Sequence, residues 1–157
     1  MKTIALLVLA LAVLTGCSDA PGKPEAKQPP AAHAVPVAVD HVAGTTQVIA
    51  YYFHGTVRCE TCLKIEKQAY ELIMSRFAPE LASERLVFKP VNYDKPENAH
   101  FSKDYNLPCP SLVLVRQKGG KDQDWKLLGK TWDFVQIPPE LDRYIEGEVD
   151  KFLRGAK

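Results

Sequence analysis

The chain has 157 residues, a formal net charge of +1, 46% hydrophobic residues and four cysteines. That balance leaves no electrostatic footprint for nucleic acid or for an anionic membrane surface, and no internal repeat marks a solenoid or propeller. After its N-terminal segments are set aside, the remainder is the size of one domain with a single core.

The chain opens with Lys2, an apolar run from Ile4 to Leu14, and then Leu14-Thr15-Gly16-Cys17. The run is shorter than the roughly 20 apolar residues of a membrane-spanning helix and reads as a removable address. Small residues ahead of a cysteine resemble the lipobox of bacterial lipoproteins. That resemblance implies a lipoprotein signal peptide over residues 1–16 and a mature chain beginning at Cys17, acylated on its sulfur and amino group. An ordinary secretory signal with Cys17 incidental is the alternative, and either one carries the chain out of the cytoplasm. More than one acyl chain suffices for stable anchoring, since each buried CH₂ adds about 0.8 kcal/mol. By analogy with enterobacterial lipoproteins, Ser18 after Cys17 fits outer-membrane sorting. Lys2 is the only charge removed, so the formal balance falls from +1 to 0.

Residues 17–43 hold Pro21, Pro24, Pro29, Pro30 and Pro36 among alanines and lysines, a composition that builds no core and reads as a tether. Within it Val35, Val37, Val39 and Val42 nearly alternate and could add an edge strand. His33 and His41 are too sparse for a metal tract. The domain then occupies 44–157. Thr46 to Phe53 is a strand rich in β-branched and aromatic residues. From Glu60 to Phe77 a helix shows apolar positions Cys62, Ile65, Ala69, Leu72, Ile73 and Phe77 every three or four residues, with Pro79 as its stop. Arg85 to Val91 is a second strand, and a short helix runs from about Pro96 to Tyr105. Ser111 to Arg116 is a third strand, turning through Lys118-Gly119-Gly120-Lys121 into a fourth at Trp125 to Leu128. Pro138 and Pro139 open a last helix, apolar at Leu141, Tyr144, Ile145, Val149 and Phe152. Strands separated by helices imply parallel pairing, and the hairpin supplies an antiparallel edge. The order βαβαββα is an α/β fold with a central mixed four-stranded sheet and flanking helices.

Cys59-Glu60-Thr61-Cys62 stands where the first strand gives way to the first helix. Two thiols at this spacing can close into a disulfide and open again. The helix N-terminus presents unpaired N–H groups and partial positive charge, which favour a thiolate. Arg58 favours the anion too, and Glu60 opposes it. Cys59, at the helix end, is the candidate nucleophile that attacks a partner disulfide; Cys62, one turn deeper, is the candidate resolving group. The spacing is not specific by itself, because zinc sites share it, but no second C-x-x-C follows. His54 can cap the strand, bond locally or accept a proton, and Gly55 reads as relief for a tight turn. Lys64 and Glu66 read as a solvated helix face, and Trp125 and Trp132 as packing groups.

With a C-x-x-C opening the first helix, this order resembles the minimal thioredoxin fold. The resemblance implies that Pro110, in Leu107-Pro108-Cys109-Pro110-Ser111, is a cis-proline facing the redox pair. Cys109 would then offer its backbone to a bound peptide and lie against Cys59 and Cys62. Three readings of Cys109 stay open: a substitute resolving group or redox gate, one arm of a Cys59, Cys62 and Cys109 trap for copper or zinc with His54 as fourth ligand, or a small apolar filler. Thioredoxin's usual Trp-Cys-Gly-Pro-Cys is here Arg58-Cys59-Glu60-Thr61-Cys62. Its buried carboxylate, six residues before the first cysteine, aligns with Phe53, so proton removal from Cys62 falls to water, Glu60 or His54.

Tyr51-Tyr52-Phe53-His54-Gly55, Arg58-Cys59, Thr61-Cys62 and Lys64-Ile65-Glu66 are similar to a narrower group, the thioredoxin-like bacterial lipoproteins of the nitrophenyl compound nitroreductase subunit (ArsF) family. No Gly-rich dinucleotide fingerprint accompanies the motif. The sequence expectation is a membrane-anchored thiol:disulfide oxidoreductase or redox relay with a redox-active disulfide and no organic cofactor. It would act on a thiol or disulfide partner protein in the cell envelope, with Cys109, Pro110, Arg58 and His54 contacting that partner. A thiolate metal module and a non-catalytic subunit of a reductase are the alternatives.

Overall fold

The computed structural model describes residues 45–155. The leader, Cys17, the tether and the alternating valines at 35–42 lie outside the described residues. β1 (Thr46–His54) is central, pairing in parallel with β2 (Leu86–Asn92) and antiparallel with β3 (Ser111–Lys118), which pairs antiparallel with β4 (Lys121–Leu127). The sheet order is β2-β1-β3-β4.

A parallel β3 was the sequence expectation, and it does not form. Seven residues of β2 climb about 23 Å, whereas α3 (Phe101–Asp104), the helix between β2 and β3, spans only about 6 Å. It cannot carry the chain back along the sheet, so β3 descends from the end where β2 finished. The expected single helix from Pro96 to Tyr105 is instead a 3₁₀ turn (Pro96–Asn98) followed by α3.

Alternate residues of β1 serve opposite faces, as the pleat requires. Val48, Ala50 and Tyr52 pack with Ile65, Ala69, Leu72 and Ile73 of α1 (Glu60–Arg76) and with Leu141, Ile145 and Val149 of α5 (Pro138–Arg154). Ile49, Tyr51 and Phe53 pack on the other face with Val91, Tyr105, Val113 and Val115. There Phe53 stands 5.1 Å from Phe101 and 5.5 Å from Tyr105, ring centre to ring centre. β1 is thus buried on both faces, which is why its sequence reads as a nearly continuous apolar run.

α1 ends ahead of Pro79, as the proline's missing N–H requires. The helix ends at Arg76, and Pro79 sits in the first turn of a new short helix, α2 (Ala78–Ala82), where its missing N–H has no helical partner to lose. Pro90 lies inside β2 opposite Tyr52, tolerated because β2 is an edge strand. Gly119 and Gly120 make the β3–β4 turn with φ of +56° and +73°, a left-handed pair that side-chain-bearing residues rarely adopt. β4 begins at Lys121, four residues earlier than its apolar pattern indicated, and its exposed charged residues suit an edge. A further short helix, α4 (Thr131–Phe134), precedes α5. Among the described residues, no helix is long and apolar enough to cross a membrane.

One charged group interrupts the buried stripe of α5. Glu148 is 7% exposed and accepts from Lys126 Nζ at 2.6 Å and Lys151 Nζ at 2.9 Å. Burial alone would raise its carboxyl; the bonds from the two lysines outweigh that and hold it below its ordinary 4.5. A lowered carboxylate stabilises the fold fully above the ordinary value and progressively less as pH falls through the native one. Urea midpoints of the unmodified protein and Glu148→Gln should therefore differ at about pH 7 and converge by about pH 3. A gap that stays constant across that range contradicts the role given to the two lysines.

Candidate active site

Cys59 and Cys62 are joined by a disulfide, with their Cα atoms 5.1 Å apart. Cys59 is the N-cap of α1: its backbone is extended (φ −79°, ψ 158°), and its Sγ accepts the Cys62 N–H at 3.0 Å. Its carbonyl receives the first helical bond, from the Leu63 N–H at 3.0 Å. A sulfur thus occupies the capping place usually held by a hydroxyl or carboxylate oxygen, where helix amides and the macrodipole converge. Cys59 is exposed while Cys62 is only 4% exposed.

The approach to the cap is fixed from the neighbouring loop. The Thr56 N–H donates to Asp94 Oδ2 at 2.6 Å, Asn92 Nδ2 donates to Thr56 Oγ1 at 3.1 Å, and the Asp94 N–H donates to Asn92 Oδ1 at 2.9 Å. Gly55 is favoured by close approach and not by a left-handed turn: a Cβ there would stand 3.1 Å from Asp94 Oδ2 and push that carboxylate aside. Nothing in the sequence pattern marks Asn92 and Asp94 as partners of this loop.

Tyr52 supports the cap from beneath. Its hydroxyl donates to the Cys62 carbonyl at 2.6 Å, and the side chain is fully buried. Burial pushes its hydroxyl up to about 12; Arg58 lowers it, while Cys109 and Tyr93 raise it. Tyr52 therefore remains a donor throughout the physiological range. Arg58 places its guanidinium 6.0 Å from the Tyr52 ring centre and pairs with Glu66. Glu66, expected on a solvated face, is thus a partner of the residue beside the nucleophile. Glu60 pairs with Lys64 at 3.2 Å on the exposed first turn.

His54 Nδ1 lies 2.9 Å from the neighbouring Gly55 carbonyl, the local bond foreseen among its alternatives, and its ring stacks on Tyr52 at 6.5 Å. Cys109 is a half-buried free thiol whose charge would be felt by Tyr52 and Tyr93. Among the described residues no three His, Cys, Asp or Glu side chains are arranged to hold a metal ion. The expected cis bond before Pro110 is also absent: no described peptide bond is cis, in line with the roughly 0.5–1 kcal/mol by which an X–Pro bond favours trans. The 109–110 loop is held instead by side chains: Trp132 Nε1 donates to the Pro110 carbonyl at 2.9 Å and Ser111 Oγ to the Cys109 carbonyl at 2.7 Å. Trp132 is therefore more than a packing group. Phe53 fills the aromatic cluster on the face opposite Tyr52, so no carboxylate occupies that position.

A parallel β1–β2 pair, an antiparallel β1–β3–β4 set and a C-x-x-C at the start of the helix after the central strand define the architecture. The fold is thioredoxin-like. No protein-family model matches the sequence, and no curated protein matches it. Similar solved structures include thioredoxin O2 from Arabidopsis thaliana in its oxidised state, at 16% identity over 58% of this chain and 75% of that one, with a TM-score of 0.36. Trxlp from Edwardsiella tarda is similar at 18% identity over 67% and 85%, with a TM-score of 0.37. Fasciola hepatica thioredoxin is similar at 20% identity over 62% and 81%, with a TM-score of 0.36. The assignment of this thioredoxin-like fold rests on the sheet order and strand directions.

Replacing Tyr52 with phenylalanine removes one buried hydrogen bond and leaves the Cys62 carbonyl its helical partner. Urea unfolding of oxidised Tyr52→Phe should show a loss of about 0.5–1.5 kcal/mol. No loss would mean that the hydroxyl does not brace the first turn of α1.

Proposed function

We propose that the chain is a thiol:disulfide oxidoreductase, anchored by lipid on Cys17 and relaying electrons between partner proteins of the cell envelope. The observation that carries this reading is the Cys59–Cys62 disulfide at the N-terminus of α1, one sulfur exposed and the other buried behind it. In the reducing direction the exposed Cys59 thiolate attacks one sulfur of a partner disulfide, breaking that bond and expelling a partner thiolate. Cys62, having given up its proton, then attacks Cys59 Sγ, re-forms the intramolecular bond and releases the second partner thiolate. Two electrons pass from the pair to the partner, and the reverse sequence oxidises a partner dithiol. The pair itself holds the electrons, so the reaction calls for no organic cofactor.

The remaining candidate residues surround this exchange. Arg58 adds positive charge next to Cys59, His54 ends the strand that leads to it, and the Cys109–Pro110 backbone is the segment offered to the bound partner. The lipid anchor and envelope location are supported by Leu14-Thr15-Gly16-Cys17 and the proline-rich tether. The resemblance of Tyr51-Tyr52-Phe53-His54-Gly55 and Arg58-Cys59 to the nitroreductase-subunit lipoproteins is the ground for a role beside a reductase, in which this domain moves electrons and a partner performs the reduction.

Full-length Cys62→Ser, produced in a bacterial envelope, should accumulate mixed disulfides with partner proteins that dithiothreitol releases. Cys59→Ser/Cys62→Ser should trap none, and Cys17→Ser should leave the membrane fraction. If Cys62→Ser traps no more than the double variant, the oxidoreductase reading fails.

A further inference from the structure

We infer that Glu66 is a positioning residue that decides how much of the Arg58 charge reaches the Cys59 sulfur, and so sets the redox poise of the Cys59–Cys62 couple. The inference deepens the thiol:disulfide reading and rests on it. Arg58 immediately precedes the exposed cysteine, yet its guanidinium turns back to pair with Glu66, one helical turn beyond Cys62. The two side chains are 24% and 22% exposed, sheltered enough for the pair to persist. The same guanidinium lies over the ring of Tyr52, whose hydroxyl holds the Cys62 carbonyl. Glu66, Arg58, Tyr52 and Cys62 thus form one continuous chain of contacts. Arg58 Nε is buried and has no hydrogen-bond partner among the described residues.

The charge balance gives this arrangement its consequence. When the disulfide takes up two electrons its S–S bond breaks, leaving Cys59 as a thiolate and Cys62 as a thiol that has taken one proton. Positive charge nearby favours this reduced form and negative charge opposes it. In the oxidised form the Arg58 charge is answered by Glu66. On reduction the new thiolate must share the guanidinium with that carboxylate. Removing Glu66 or Arg58 should therefore move the couple in opposite directions, a pattern that a packing role for either side chain would not give.

The test is equilibration of the full-length protein with mixtures of oxidised and reduced glutathione, reading the fraction of Cys59–Cys62 disulfide. Glu66→Gln should shift the equilibrium toward the dithiol by about three- to tenfold, tenfold corresponding to about 30 mV for two electrons. Arg58→Gln should shift it toward the disulfide, and Arg58→Gln/Glu66→Gln should return close to the unmodified value. Glu66→Asp, which keeps the charge, should stay within about twofold of the unmodified value, and both single shifts should shrink in high salt. Shifts of the same sign in the two single variants, or none beyond twofold, would overturn the role of Glu66. Should Glu66→Gln not fold, Glu66→Ala takes its place with the same expected shift toward the dithiol, and an unchanged equilibrium there overturns the inference. An unmodified couple that does not exchange with glutathione at all defeats the oxidoreductase reading itself, an outcome distinct from normal exchange with equal variants.

Discussion

The bond from the Cys62 N–H to the Cys59 sulfur, 3.0 Å long, makes one residue both the cap of a helix and the exposed half of a disulfide. Helix N-termini leave their first amides unpaired, and capping usually answers them with a side-chain oxygen. Here a sulfur takes that place, so the amides that need an acceptor meet the atom that gains negative charge on reduction. The end of α1 itself favours a thiolate there, and the charge of Arg58 adds to it.

The rest of the fold keeps that helix end in place. β1 is buried on both faces and delivers the chain to the cap from the middle of the sheet. Tyr52, pointing to the α1 side, bonds the Cys62 carbonyl, while Phe53, pointing to the other side, joins an aromatic cluster with Phe101 and Tyr105. The loop after β2 grips Thr56 through Asp94. Pro110 is held from a different direction, by the indole of Trp132 in α4. Tyr52 from β1 and Asp94 from the loop after β2 thus hold the first turn of α1 and the approach to it, and neither lies in α1's own sequence.

Elements with strong periodicity were legible in the sequence. The apolar run of β1, the three-and-four spacing of α1 and the Pro138-Pro139 start of α5 gave their positions to within a residue or two. The C-x-x-C gave the disulfide and which of its two cysteines is exposed, because position in the first helical turn determines their burial. Strand direction was less legible: the antiparallel β3 follows from the shortness of α3, and the apolar pattern does not reveal that length. Partners across the fold were hidden for another reason. Glu66 looks like any surface glutamate until Arg58 folds back onto it, and Asp94 shares no local pattern with Thr56. The alternation Val48, Ala50, Tyr52 did contain the signal that Tyr52 faces α1. Pro110 shows the limit of resemblance, since its position matches the expected loop and its bond is trans.

The account stands on an asymmetry between two sulfurs: one at the helix tip, open to a partner, and one shielded behind it. Mass-spectrometric mapping of the fully reduced protein after brief treatment with limiting iodoacetamide at neutral pH measures that asymmetry directly. The account predicts label on Cys59 well before Cys62. Equal labelling of the two, or earlier labelling of Cys62, would contradict it.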